Sequence, residues 1–371
     1  MKRTYNLINY EWLENPTGDP FVDAGGYALK EYSNQFPNSD SDILELIMKV
    51  TDIYVDRWNA GLHMFYLNST ITQPNFKTTQ KKKEETKKYF EGLLNETINH
   101  EEGYCRILGV KTKLFKAGRD NSILTGSSSF LNFHHNLEEG LLFSKEVLIR
   151  LFFTPLASVL IYDKMSIITC NQEAISEYFA RKQVIQNLHN INFSFTLRSK
   201  YLNIPNALFA FIDDVITNVR RVKEDNQKLS LTLYHFTNSG ATPSIDIYRL
   251  PLSVFNFYRY CTQAVFAKQW NMFVNSNYKK YIGHKVNYSI NDSVYTEKVT
   301  DITLIEKNYF EQLQNDDSLK MNLYQFGIKR DNKCRNCYII DSIEFNNWKK
   351  KIFIKNGIEC KINSKMKNKK N

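Results

Sequence analysis

The sequence predicts an α+β fold: an irregular mixed N-terminal body with β-hairpins, followed by a helical C-terminal part. Three observations carry this expectation. Between residues 41 and 67, Ile43, Ile47, Val50, Tyr54, Trp58 and Phe65 recur near helical spacing, the pattern of one buried helix face. Leu229, Leu231 and Leu233 alternate, as do Ile245 and Ile247 beyond Asn238-Ser239-Gly240, which reads as two half-buried strands joined by a long polar loop. Gly103, Gly109, Gly118, Gly126 and Gly140 punctuate short apolar runs, which predicts loops and short strands over 104–170.

The elements follow in chain order. Ser41 or Asp42 caps the helix of 41–67, and Pro74 closes that region. Residues 77–95 form a second helix with a charged face, in which Glu84 and Lys88 stand at supporting spacing. The run from Val147 to Ile161 predicts a buried helix broken near Pro155. Leu160 to Tyr162 and Ile167-Ile168 then make strands around a turn at Asp163-Lys164. Helices are expected over 172–190 and 206–228. In the second, Leu208, Phe211, Ile212, Val215, Val219 and Val222 share a face, and Pro205 stands at the favoured first turn. The hairpin of 229–250 follows. After Pro251 the pattern returns to helix through Trp270 and Phe273, then to strand-like alternation over 286–300 and helix over 302–326.

A length of 371 residues suggests two or three domains, and 42% hydrophobic residues can fill a sizeable core. We divide the chain into a body at 1–257, a mostly helical part at 258–348 and a Lys-rich tail at 349–371. The net charge of +10 is concentrated in that tail, where nine lysines face one acid, Glu359, leaving +2 for residues 1–348. A near-neutral body with a basic tail differs from a uniformly basic nucleic-acid binder. A lysine run of this kind is ordinarily a solvated end; the sharper reading is screened, sequence-independent contact with phosphates. Six cysteines are too sparse for a disulfide scaffold. The opening MKRTYNLINYEW has no apolar run of secretory type, and Val147 to Tyr162 is too short to span a bilayer. A cytoplasmic location without membrane contact is therefore expected.

Catalytic motifs are sparse. Cys334 and Cys337 form the only C-x-x-C, with Cys360 but no histidine after them, whereas zinc takes four ligands. His134-His135 has no carboxylates at a recognisable spacing. Gly126 to Ser129 lacks the lysine of a phosphate-binding loop. No nucleophile has an identifiable base, so no enzymatic activity is expected.

Three blocks resemble the large subunit of type I-B CRISPR–Cas surveillance complexes (Cascade). The first is GDPFVDAGGYAL at Gly18 to Leu29. The last is the stretch from Leu229 to Phe257, with FTNSG and the run from Leu250 to Phe257. The middle block, Tyr104 to Ile168, is similar to a region where the family places two C-x-x-C pairs around a polar linker. Cys105 keeps the first pair's first position and Leu108 takes its second, while Ser144 to Val147 stands in the place of the second pair. GSSSFLNF at 126–133 fits the linker.

The resemblance implies a non-catalytic subunit that recognises the protospacer-adjacent motif, helps open target double-stranded DNA and recruits the helicase-nuclease. Its implied partners are crRNA and the backbone subunits. It also implies that the zinc site is lost, so that no cofactor or metal is expected. RNA–DNA pairing reads most of the target in such complexes, and protein reads the short motif and backbone shape. Thr237, Asn238 and Ser239 at the hairpin tip are the first candidates, since asparagine pairs with adenine through two hydrogen bonds. Ser127 and Ser128 in the loop after Gly126 come second, and Lys361, Lys365 and Lys367 are candidate phosphate contacts. Met272 and Met321 are possible internal starts for a separate small subunit. The alternatives are a metal-dependent nuclease built on His134 and His135, and a scaffold protein without nucleic-acid contact.

Overall fold

Helices begin where the sequence supplies a side-chain acceptor for their first free N–H groups. In the computed structural model, α1 (Tyr10–Glu14) is capped by Asn9 and α2 (Pro20–Asn34) by Asp19. Asp42 caps α3 (Ile43–Asp56), Thr78 caps α4 (Thr79–Leu94) and Ser144 caps α5 (Lys145–Phe153). The structure describes residues 1–35, 41–58, 61–127, 137, 140–192, 204–218, 229–239, 243–250, 264, 266, 321–322 and 339–340.

The fold is α+β. The chain divides into two units: Met1–Ser199 with Thr232–Tyr248, and Lys200–Leu231 with Arg249–Asn371. The first unit thus takes in the hairpin and leaves out 200–231, a division different from the break expected at residue 257.

In the first unit, β1 (His100–Tyr104), β2 (Lys111–Ala117) and β3 (Leu141–Phe143) form an antiparallel sheet in that order, with Phe115 opposite Phe143. After α5, Pro155 tightens the chain into a 3-10 turn at Thr154–Ala157, the break anticipated there. The second sheet runs β4 (Val159–Ile161), β5 (Lys164–Cys170), β6 (Leu231–Thr237) and β7 (Ser244–Leu250). The turn between β4 and β5 holds Tyr162 at φ 53°. α6 (Glu173–Asn192) packs on α2, on β5 and on the 3-10 turn. The core gathers Leu13, Ala28, Ile43, Ile47, Phe65, Leu93, Ile149 and Phe153, each fully or almost fully buried.

In the second unit, α7 (Ile204–Asn218) has Pro205 in its first turn and buries Leu208, Phe211, Ile212 and Val215. Met321–Asn322 pairs antiparallel with Ile339–Ile340 as β8 and β9, so helix does not run through to 326 as the sequence pattern predicts. The strand pattern of 286–300 lies outside the described residues. Among the described residues, no helix is long and apolar enough to cross a membrane.

Candidate nucleic-acid interface

The opening block is a helix start locked onto a buried arginine. Asp19 accepts from the N–H groups of Phe21 and Val22, and Pro20 occupies the first helical position, where no N–H is needed. Asp23 turns back to accept from the Thr17 hydroxyl and from the backbone of Thr17 and Gly18, at 2.7–2.9 Å. Its Oδ1 also pairs at 2.7 Å with Arg150 of α5, whose side chain is 0% exposed. The same guanidinium donates to the carbonyls of Trp12, Asn15 and Val22 at 2.6–3.0 Å. Burial draws the Arg150 pKa down, and Asp23 opposes the shift. Two glycines let the helices approach: a Cβ at Gly25 would sit 1.9 Å from the Arg150 carbonyl oxygen, and one at Gly26 would sit 2.7 Å from its Nε. Every polar atom that this signature buries is therefore spent on structure.

The middle block is a turn facing a helix start. The Cys105 N–H donates to the Val110 carbonyl at 2.9 Å, and the Gly109 N–H to the Cys105 carbonyl at 2.8 Å. Gly109 takes φ +67°, a conformation that favours glycine. The Ser144 N–H points at Cys105 Sγ, 3.4 Å away, and the Ser144 hydroxyl accepts from Val147 N–H at 3.4 Å. Cys105 and Val147 are buried, and Leu108 packs against the core. Positions 105 and 108 thus belong to a turn and 144 and 147 to a helix start, the two meet at Cys105 and Ser144, and Cys105 and Val147 join the apolar core with Leu108 packed against it. Among the described residues, no three His, Cys, Asp or Glu side chains group to hold a metal ion.

The hairpin block joins the same body. Phe236 lies 4.9 Å from Phe21 of the opening block and 5.4 Å from Phe65, ring centre to ring centre. One strand residue before Phe236, His235 is buried with its Nδ1 2.9 Å from the Ser166 hydroxyl. Burial first, and Lys164 second, push its pKa down to about 4, so the ring is neutral near pH 7.

Asn238 is where the structure departs most from the sequence reading. Expected at an exposed hairpin tip, its side chain is 0% exposed. Its amide Nδ2 donates to the carbonyls of Phe65 at 2.9 Å and Ser122 at 3.3 Å, with that of Arg119 at 3.5 Å, and its N–H donates to the Met64 carbonyl at 2.7 Å. In this conformation the amide has no face to offer a base edge. Asn238 instead ties the end of β6 to the turn at 64–65 and to the loop at 119–122. That loop is itself closed by Arg119 N–H on the Gly126 carbonyl at 2.9 Å.

The neighbouring candidates remain accessible. Thr237 and Ser239 are half-buried, with their hydroxyl oxygens 2.7 Å apart, and Ser127 is half-buried at the end of the loop that Asn238 holds. The structure thus brings two of the predicted stretches, 237–239 and the approach to Ser127, to one clip. Ser128, Lys361, Lys365, Lys367, His134, His135, Cys334 and Cys337 lie outside the described residues. The residues that sequence reasoning missed are Arg150, which no motif marks, and the loop side chains Asp120 and Asn121. No protein-family model, curated protein or solved structure matches the chain.

Proposed function

We propose that this chain is the non-catalytic large subunit of a type I-B CRISPR surveillance complex. In this reading it recognises the motif flanking the target, helps open target double-stranded DNA and recruits the helicase-nuclease, working beside crRNA and the backbone subunits in the cytoplasm. The observation that carries the reading is the meeting of Cys105 with Ser144 across 39 residues of sequence. The family-like alignment requires two cysteine-pair positions to face one another. A chance likeness of glycine and serine spacing carries no such requirement. The meeting of the opening block with the hairpin block, through Phe21, Tyr234 and Phe236, supports the same alignment.

Asn238 takes a new role in this reading. It positions the segment that reads, and Thr237, Ser239 and Ser127 are the hydroxyls offered to a groove. Lysines of the tail add phosphate attraction without sequence preference.

The test is expression with crRNA and the backbone subunits. The chain is expected to co-purify stoichiometrically with them, and alone to bind duplex weakly, since residues 1–348 carry only +2. In the assembled complex, deleting 361–371, which removes five lysines, lowers affinity alike for motif-matched and motif-scrambled duplexes and flattens the salt dependence. Changing Thr237 and Ser239 to Ala costs roughly 1–3 kcal/mol on matched duplexes and little on scrambled ones. A stable monomer that binds DNA tightly by itself sinks the proposal. So does divalent-metal-dependent cleavage by the isolated chain.

A further inference from the structure

A small cavity of about 30 Å3, room for one water-sized group, opens beside the loop that Asn238 holds. Its deeper wall is aromatic, with Phe90 and Phe152 both buried. Its more open side carries Thr70, Asp120 and Asn121.

The hydrogen-bond inventory of this cavity is one-sided. Thr72 gives its hydroxyl proton to the Tyr66 carbonyl, so Ser69, 3.0 Å from it, must donate to Thr72. Thr86 gives its proton to the Lys82 carbonyl, so Thr70, 2.8 Å from it, must donate to Thr86. Both N–H bonds of the Asn121 amide go to the Tyr89 hydroxyl and the Lys116 carbonyl, each at 3.0 Å. The Tyr66 hydroxyl donates to the Leu151 carbonyl. Every side-chain donor on the wall is committed. Among the lining residues, what remains is acceptor capacity: the Thr70 lone pairs and the Asp120 carboxylate. Burial pushes the Asp120 carboxyl above the usual range, relieved only by its own N–H, as expected of a carboxylate short of donors.

We propose that this cavity is a binding site for a primary ammonium group carried on an unbranched alkyl stem, the chemistry shared by lysine side chains and free polyamines. A primary ammonium brings three donors and no acceptor, the complement of a wall whose donors are spent. The ammonium head occupies the cavity, paired with Asp120 and set against the Phe90 and Phe152 rings, where a cation is attracted to the ring faces, while the methylenes leave by the open side. A neutral hydroxyl brings a single donor and no charge. A divalent metal ion is poorly matched, because one carboxylate and one hydroxyl supply too few hard oxygens. The inference rests on the cavity alone and stands whether or not the chain belongs to a CRISPR complex.

The test uses the full chain and ligand-observed NMR with n-butylammonium chloride, with n-butanol and potassium chloride as controls. Butylammonium is expected to bind in the millimolar range, at least tenfold tighter than butanol, and to resist competition by equimolar potassium. Asp120→Asn keeps the shape, removes the charge and is expected to weaken binding at least tenfold. Thr70→Val removes the second acceptor and is expected to weaken it about threefold. Circular dichroism confirms that each variant folds; should Asp120→Asn fail to fold, Thr70→Val decides alone. Nα-acetyl-lysine amide and spermidine then identify the source: preference for the first points to a protein lysine, and for the second to a polyamine. Equal binding of butanol, full displacement by potassium, or unchanged binding in the folded Asp120→Asn variant overturns the proposal.

Discussion

Two buried corners of the same body are held by opposite means. Around Arg150, a charge is taken out of water and repaid by one carboxylate and three carbonyls. Around Cys105, a turn and a helix start meet over apolar side chains, with a thiol and a serine N–H as the polar contact between them. The first corner tolerates almost no change, because removing any partner strands a buried charge. The second is forgiving, because apolar contacts are non-directional and each contributes little. A corner of the second kind can lose specialised side chains and still hold its shape. A corner of the first kind keeps its sequence or fails.

The sharpest way to break that contrast is Asp23→Ala. It leaves the Arg150 guanidinium buried without its counter-charge and should cost about 3–5 kcal/mol, read by chemical denaturation. Gly25→Ala acts on the same corner by volume and should yield little soluble protein, since its new carbon has no space beside the Arg150 carbonyl. If either variant is nearly neutral, the corner is not the rigid one.

His235 sharpens the comparison through pH. Its folded pKa of about 4 lies below the ordinary 6.5, so between these values the unfolded chain binds the extra proton. Stability is therefore full above pH 6.5 and is lost as pH falls toward 4, by roughly 2–3 kcal/mol after allowance for screening. Asp19 and Glu146, whose carboxyls burial raises, work in the opposite direction, so the comparison must be made between parent and His235→Gln. The parent should lose more stability on acidification than the variant; parallel curves would show that the ring is not buried neutral.

Asn238→Ala comes next. It frees the buried carbonyls of Phe65 and Ser122 and should cost about 1–3 kcal/mol, with faster amide exchange over 119–126. On the proposed function, where Asn238 positions the Thr237 and Ser239 hydroxyls, it should also weaken matched duplexes more than scrambled ones. Equal weakening of both would show that the Asn238 clip holds the fold without placing the readers.

The smallest effect belongs to the apolar corner. Cys105→Ser should cost about 1 kcal/mol or less and leave the metal content unchanged; loss of about one zinc per chain would show that the site still works. The combined change of Leu108, Ser144 and Val147 to Cys should instead gain about one zinc, because four thiolates on a turn and a facing helix start satisfy tetrahedral coordination. Failure to gain it, in a folded variant, would mean the turn and the helix start are not placed as a knuckle.

Much of the fold was legible in the sequence where the signal is local. Asp42 and the face from Ile43 to Tyr54 mark α3, and Pro155 marks the end of α5. α2 was not read, because Gly25-Gly26 lowers helix propensity and hides the periodicity; the Asp19-Pro20 start is the signal that would have found it. Asn238 was misread because a polar residue in a hairpin connection is usually exposed. Nothing nearby in sequence tells that Met64 and Ser122 will close over it. The cavity beside Asp120 was invisible for the same reason: its walls come from four separate stretches of chain, and its chemistry lies in which protons are already spent.

The Arg150 corner also dictates an order of events on the ribosome. The guanidinium reaches back across 138 residues to the Trp12 carbonyl, and Asn238 reaches back across 173 to that of Phe65. At about 5–20 residues per second, the helix start at Asp19 waits roughly 7–30 s for its partner to be synthesised. During that interval Asp23 can still hold the loop at 17–18, but the face of α2 that packs on α5, on the 3-10 turn and on α6 has no cover. The body closes only after residue 238 emerges, so nascent chains shorter than this are the ones most in need of protection by chaperones.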